Sequence, residues 1–208
     1  MKKETVLKNL FSLNGQSRSG KTTQALKIKS KEIEMRNIYQ LRDRAMKAMK
    51  IDIMESISLS SSMGWFVADW HIRLKPILDN KHLLLDHYLA DFIVLCDDYK
   101  KSYDTIEKFC KKNADIPTFE EGMHFYLDLD YKTYKERSNR VNYYPNSKQQ
   151  IKEVLVPEAL FDMRRVRYLW LCSNTPLVKI EGRREVKDIT ESLRVRMLPS
   201  DTNEETKK

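Results

Sequence analysis

Leu10-Phe11-Ser12-Leu13-Asn14-Gly15-Gln16-Ser17-Arg18-Ser19-Gly20-Lys21-Thr22 decides the fold of this chain. The apolar run Leu10 to Leu13 reads as a strand that stops at the turn pair Asn14-Gly15. From Gly15 onward the residues fit the spacing G-x-x-x-x-G-K-[ST]. That spacing has a physical purpose. Glycines let the backbone wrap so that its N–H groups point at phosphate oxygens, the lysine reaches the outer phosphates, and the hydroxyl takes a place beside a divalent cation. A chance match at average composition in a chain of 208 residues has a probability of about 1% or less. Only five glycines occur in the whole sequence, and two of them stand here.

Working outward, the segment from Thr22 to about Met35 lacks Gly and Pro and is rich in Lys, Glu, Gln, Leu and Ala, which predicts a helix. Ile38 to Leu41 reads as a second strand. Met46, Met49 and Ile53, and then Phe66, Trp70, Leu74 and Leu78, recur at helical spacing. His82 to Asp86 reads as a strand buried on both faces that ends in a carboxylate. Leu89, Phe92, Ile93, Cys96, Tyr103, Ile106 and Cys110 predict one long helix after it. Phe125 to Leu129 is a fourth strand, and helices are expected from Tyr131 to about Arg140 and along Ala159 to Trp170. Val178 to Ile180 is a fifth strand, and Val186, Ile189, Leu193 and Met197 line a closing helix. Strand and helix alternate, so the expected architecture is an α/β fold, a parallel sheet of about five strands sandwiched by helices. One domain is expected over residues 1–198, with a small lid at about 140–156 and a disordered polar tail at 199–208.

Composition excludes several classes. Lys and Arg number 38 against 30 Asp and Glu, a net charge of +8, with 41% hydrophobic and 33% charged residues. That is too apolar for a disordered chain and too charged for a membrane protein. The run from Leu83 to Cys96 is broken by Asp86, His87 and Asp91, well short of the roughly 20 apolar residues a bilayer crossing needs. The expected location is the cytoplasm. The basic residues are dispersed among acids, so a polyanionic small molecule accounts for the charge and nucleic acid is not the expected partner. Cys96, Cys110 and Cys172 form no pair that suggests a disulfide or zinc site.

Three stretches together resemble thymidylate kinase, a nucleoside monophosphate kinase of the P-loop class. The first is Leu13 to Gln24, with its Thr23-Gln24 after the loop. The second is Phe66-Val67-Ala68-Asp69-Trp70, followed by Lys75-Pro76-Ile77-Leu78 and Leu83-Leu84-Leu85-Asp86-His87-Tyr88. The third is Phe125 to Asp130 with Glu136-Arg137, and Val178 to Gly182 with the helix after it also fits. The resemblance implies transfer of the γ-phosphoryl of ATP, with Mg²⁺, to a nucleoside monophosphate, and a homodimer. It implies that Gly15, Ser17, Ser19, Gly20, Lys21, Thr22 and Thr23 hold the ATP phosphates and that Thr22 and Asp86 hold Mg²⁺. Arg18 matches a charge-stabilising loop arginine, so Arg18, Lys21 and Asp86 are the implied catalytic set. Arg137 matches an arginine beside adenine. On the acceptor side, Phe66 matches the aromatic that stacks on the base, Tyr88 belongs to the D-R-[YF] strand end, and Arg42 matches an arginine on the acceptor phosphate.

The sequence departs from the pattern at four places. Asn14 stands for an acidic residue and Ser17 for a loop aspartate, while Trp70 and His87 stand for two arginines that grip the acceptor phosphate. A charge-assisted bond is worth about 1.5 to 3 kcal/mol, so both losses matter. Arg73 lies one turn from Trp70 and shares its face, which makes it a replacement, and His87 supplies charge only when protonated. Without the resemblance, Phe66 and Trp70 read as core, and Asp86 has a compatible second reading as the cap of the following helix. Asp128 and Asp130 read as caps or solvated charges, and Arg164, Arg165 and Arg167 as a solvated helix face. A second reading of the whole is a nucleotide-binding module that no longer transfers phosphoryl groups.

Overall fold

The computed structural model describes residues 8–38, 59–113, 115–138 and 155–198, with the backbone alone at 59–63. Its centre is a five-stranded parallel sheet made of β1 (Leu10–Asn14), β2 (Ile33–Asn37), β3 (His82–Asp86), β4 (Met123–Asp128) and β5 (Val178–Glu181), in the order β2-β3-β1-β4-β5. Registers such as Leu13↔Asp86, Asn14↔Tyr126 and Asn37↔Asp86 bring the carboxyl ends of the strands to one edge. The expected α/β sandwich is thus the observed one.

Alternation along the strands assigns the two faces. Phe11, Leu13, Leu84, Phe125, Leu127 and Ile180 pack under α1 (Lys21–Ile28) and α8 (Val186–Met197). On the other face Leu10, Leu83, Leu85 and Tyr126 meet α2 (Leu59–Asp69), its π-helical continuation (Trp70–Leu74), α4 (Leu89–Ile93), α5 (Tyr99–Lys112) and α7 (Glu158–Asn174). The π-helical turn runs into the short α3 (Lys75–Leu78), where Pro76 has no N–H to return to the preceding turn. A third small cluster, Leu129, Tyr134 and Phe161, joins α6 (Tyr131–Ser138) to α7.

Two sequence expectations are corrected. The first helix ends at Ile28, and residues expected to continue it form β2, a second strand that ends at Asn37; of the strand expected at Ile38 to Leu41, only Ile38 lies among the described residues, in a turn. Ser30 turns the chain by accepting from the N–H groups of Glu32 and Ile33, each at 3.2 Å. Pairing with β3 then overrides helix propensity, since Ile33 to Asn37 complete a ladder that no local preference encodes. The long helix from Leu89 to Cys110 is also two helices. Arg167 of α7 donates to the carbonyls of Val94 and Cys96 at 2.8 and 2.6 Å, which withdraws them from a continuous helix, and Asp98 caps the second helix by accepting from Lys101 N–H at 3.1 Å. The Met46 to Ile53 helix, most of the lid at 140–156 and the tail at 199–208 lie outside the described residues. Among those described, no helix is long and apolar enough to cross a membrane.

Candidate functional site

The loop between β1 and α1 has the backbone its glycines predict. Gly15 has φ 145° and Gly20 φ 98°, and a Cβ at Gly15 would stand 2.9 Å from Ser19 Oγ and 3.0 Å from Leu127 O. The loop closes through Ser19 N–H to Gln16 O at 3.2 Å, and Gly20 O accepts from Gln24 N–H in the first turn of α1. Lys21 is buried and folds back over the loop, its Nζ donating to Gly15 O at 2.5 Å and Gln16 O at 3.0 Å. Ser17, Thr22 and Thr23 are exposed and Ser19 is buried. Arg18 is half-buried with φ 63°, a left-handed conformation that a side-chain-bearing residue rarely takes.

Adjacent strands bring a carboxylate to this loop. Thr22 Oγ1 donates to Asp86 Oδ2 at 2.7 Å, across 64 residues of sequence. The carboxylate is 1% exposed, and its other oxygen, Oδ1, accepts no hydrogen bond. Asp86 does not cap the next helix, whose cap position is Tyr88 with no side-chain bond. A hydroxyl beside a buried carboxylate with an uncommitted oxygen is an all-oxygen donor set suited to Mg²⁺, which takes one or two protein oxygens and fills its shell with phosphate and water. Among the described residues no group of three or more His, Cys, Asp or Glu gathers that could hold a metal ion.

Next to Asp86, His87 has φ 81°. Its Nδ1 lies 2.5 Å from Asp91 Oδ2 and its Nε2 is 3.8 Å from Asp86 Oδ1. Asp91, which sequence reasoning noted only as a break in an apolar run, is a buried meeting point. Its Oδ1 accepts from Gly15 N–H at 3.0 Å and from the Tyr168 hydroxyl of α7. Burial by itself raises the Asp91 pKa, but His87, Lys21 and Tyr168 outweigh it and hold the carboxyl below its ordinary value. The i, i+4 spacing from His87 was the available signal.

Arg137 bridges two loops. Its guanidinium donates to the carbonyls of Arg18 and Ser19 at 3.2 and 3.3 Å and to Gly182 O at 2.7 Å, pinning the loop between β1 and α1 to the chain leaving β5. Gln16 Nε2 donates to Phe161 O at 3.0 Å and fastens the loop to α7.

The residues proposed for the acceptor side are not gathered in the same way. Phe66, Trp70 and Tyr88 are core: Phe66 packs against Trp70, Tyr88 and Phe92, Trp70 Nε1 donates to Asp115 O at 2.5 Å, and Tyr88 donates to Pro117 O at 2.9 Å. The core reading of Phe66 and Trp70 is the one their packing displays. Arg73 forms a two-pronged ion pair with Asp69, Nη2 to Oδ2 at 2.6 Å, and so neutralises a fully buried carboxylate. Arg42 lies outside the described residues. The solvated face expected at Arg164 to Arg167 is corrected: Arg165 pairs with Asp128 at 2.7 Å and Arg167 is buried against the α4–α5 junction. Asp130 is a cap, accepting from Thr133 N–H at 2.7 Å, whereas Asp128 is a buried ion-pair partner.

No family model matches the sequence, and no curated protein matches it. Among solved structures the chain is similar to deoxyadenosine kinase from M. mycoides, solved with bound dATP, at a TM-score of 0.58 and 16% identity. The match covers 90% of this chain and 98% of that one. At this identity the likeness shows the fold alone, a five-stranded parallel sheet flanked by helices.

Proposed function

We propose that the protein is an ATP-dependent kinase that phosphorylates a small nucleoside or nucleotide, the nucleoside monophosphate being the acceptor the sequence resemblance implies. The observation that carries this reading is the convergence of Lys21, Thr22 and Asp86, with Thr22 Oγ1 on Asp86 Oδ2 at 2.7 Å and Asp86 Oδ1 buried and uncommitted. Phosphoryl transfer asks the protein for positioning and charge stabilisation more than covalent chemistry. Loop amides and Lys21 would hold the phosphates, and Arg18 of the same loop would stabilise charge on the transferring group. Thr22 and Asp86 would hold Mg²⁺, which supplies charge neutralisation at the phosphate oxygens. The likeness to a nucleoside kinase fold supports a kinase in general and leaves monophosphates and nucleosides both as acceptors to be measured.

A specific observation favours the second reading, a nucleotide-binding module without transfer. Phe66, Trp70 and Tyr88 are occupied as core and Arg73 is paired with Asp69, so part of the expected acceptor grip has structural work instead. A coupled assay of ADP release against a panel of nucleosides and nucleoside monophosphates separates the two. Acceptor-dependent release that falls to background in Lys21→Ala, together with lost nucleotide binding, is the expected result. ATP binding without turnover on any acceptor would favour the module, and unchanged nucleotide affinity in Lys21→Ala would show that the loop is not the site.

A further inference from the structure

We infer that Asp91 is a positioning residue that sets the phosphate loop and the His87 imidazole with one carboxylate, holding Gly15 through Oδ1 and His87 through Oδ2. This rests on the reading of residues 15–22 as the phosphate site. It assigns Asp91 a task that neither the loop motif nor the D-R-[YF] resemblance contains.

The argument starts from donor and acceptor counts. An ionised carboxylate only accepts, so at 2.5 Å from Asp91 Oδ2 the Nδ1 of His87 must carry the proton. The direction of the Asp91 pKa agrees with an ionised group. With Nδ1–H committed to Asp91, the ring is turned so that Nε2 faces Asp86 Oδ1 at 3.8 Å, beside the oxygens proposed for Mg²⁺. The His87 backbone, at φ 81°, sits in a conformation that needs such outside support. The opposite oxygen of the same carboxylate takes the Gly15 N–H, 76 residues away in sequence, and thereby fixes the first residue of the loop. Tyr168 of α7 donates to that oxygen as well, so loop, strand end and helix share one anchor.

Asn is the informative replacement because it is nearly isosteric and divides the two tasks. Its carbonyl still accepts from Gly15 and Tyr168, whereas its amide donates where Asp91 Oδ2 accepted. His87 must then accept through Nδ1 and carry its proton on Nε2. In Asp91→Asn, nucleotide affinity should stay within about twofold of the wild type while turnover falls about 10- to 100-fold, as happens when an orienting partner is lost.

The deciding readout is the ¹⁵N spectrum of the His87 ring in mildly alkaline buffer. The wild type should show Nδ1 protonated, Asp91→Asn should show Nε2 protonated, and Tyr168→Phe, which removes only a donor to Oδ1, should match the wild type. A wild-type ring protonated at Nε2 overturns the inference without any variant. So does the same tautomer in wild type and Asp91→Asn, or a change in Tyr168→Phe as large as that in Asp91→Asn. The spectrum needs neither ATP nor acceptor, so it decides the role of Asp91 even if the transfer reaction fails in the ADP-release assay.

Discussion

Arg18 combines two properties that separate its backbone from its side chain. At φ 63° the backbone occupies a region where glycine is at ease, while the half-buried side chain belongs to a loop whose amides are proposed to serve the phosphates. Arg18→Gly therefore suits the loop conformation while removing the side chain that carries the guanidinium. If Arg18 acts on the transferring phosphoryl group, kcat should fall about 100-fold or more while the KM for ATP changes little, the pattern of an interaction made in the transition state. Steady-state kinetics over a range of ATP concentrations checks this. A variant that only raises the KM for ATP would make Arg18 a ground-state contact, and a silent variant would favour the module. The loop residues were legible because their spacing is local. The partners of His87 were not, because the carboxylate that orients it also needs Gly15 and Tyr168 to be held in place.

At the scale of elements, the exits of β4 and β5 are joined more tightly than side chains permit. Gly182 N–H donates to Asp128 O at 2.7 Å, and a Cβ at Gly182 would stand 2.5 Å from that same backbone oxygen. Gly182→Ala must push the two strand ends apart, at a cost of about 1 to 3 kcal/mol. The movement also disturbs the Gly182 carbonyl that Arg137 uses to pin the loop between β1 and α1, the proposed phosphate site. Urea unfolding should show a lower midpoint with an unchanged slope, accompanied by weaker nucleotide binding. An alanine variant as stable as the wild type would contradict the geometry. The helices and strands themselves were largely readable from period and composition. The exceptions, β2 and the α4–α5 break, arise where a neighbouring strand or the Arg167 guanidinium claims backbone groups that local propensity would have kept in a helix.

At the scale of the whole molecule, a buried histidine links stability to pH. His124 on β4 is fully buried; Ser12 Oγ lies 2.8 Å from its Nδ1, Glu121 O lies 3.1 Å from its Nε2, and Tyr88 stacks on the ring at 4.7 Å. Burial pushes its pKa down from 6.5 to about 4. The unfolded chain regains an ordinary imidazole and takes up a proton as pH falls below 6.5, while the native state does not until about 4. Stability contributed by the neutral buried ring is thus fully present above that window and is lost through it, by up to about 3 kcal/mol. Asp91 and Asp128, both held below the ordinary carboxylate value despite burial, add their loss further down. Chemical denaturation at several pH values between 6.5 and 4.5 should show the decline in the wild type and a flatter profile in His124→Gln. An equal slope in both proteins would mean that His124 is not the linked group.

The sequence by itself determined the glycine-dependent loop between β1 and α1, the carboxylate at the end of β3 and the parallel α/β architecture, because each depends on spacing or alternation within a few residues. Only the tertiary structure decided what the aromatic and charged residues outside the loop do. Phe66, Trp70 and Tyr88 became core, Arg73 became the partner of Asp69, and Asp91 became the shared anchor of Gly15, His87 and Tyr168. Burial and hydrogen bonding across 76 or 77 residues of chain are properties of the packed molecule, in which most buried polar groups find partners that sequence spacing does not announce.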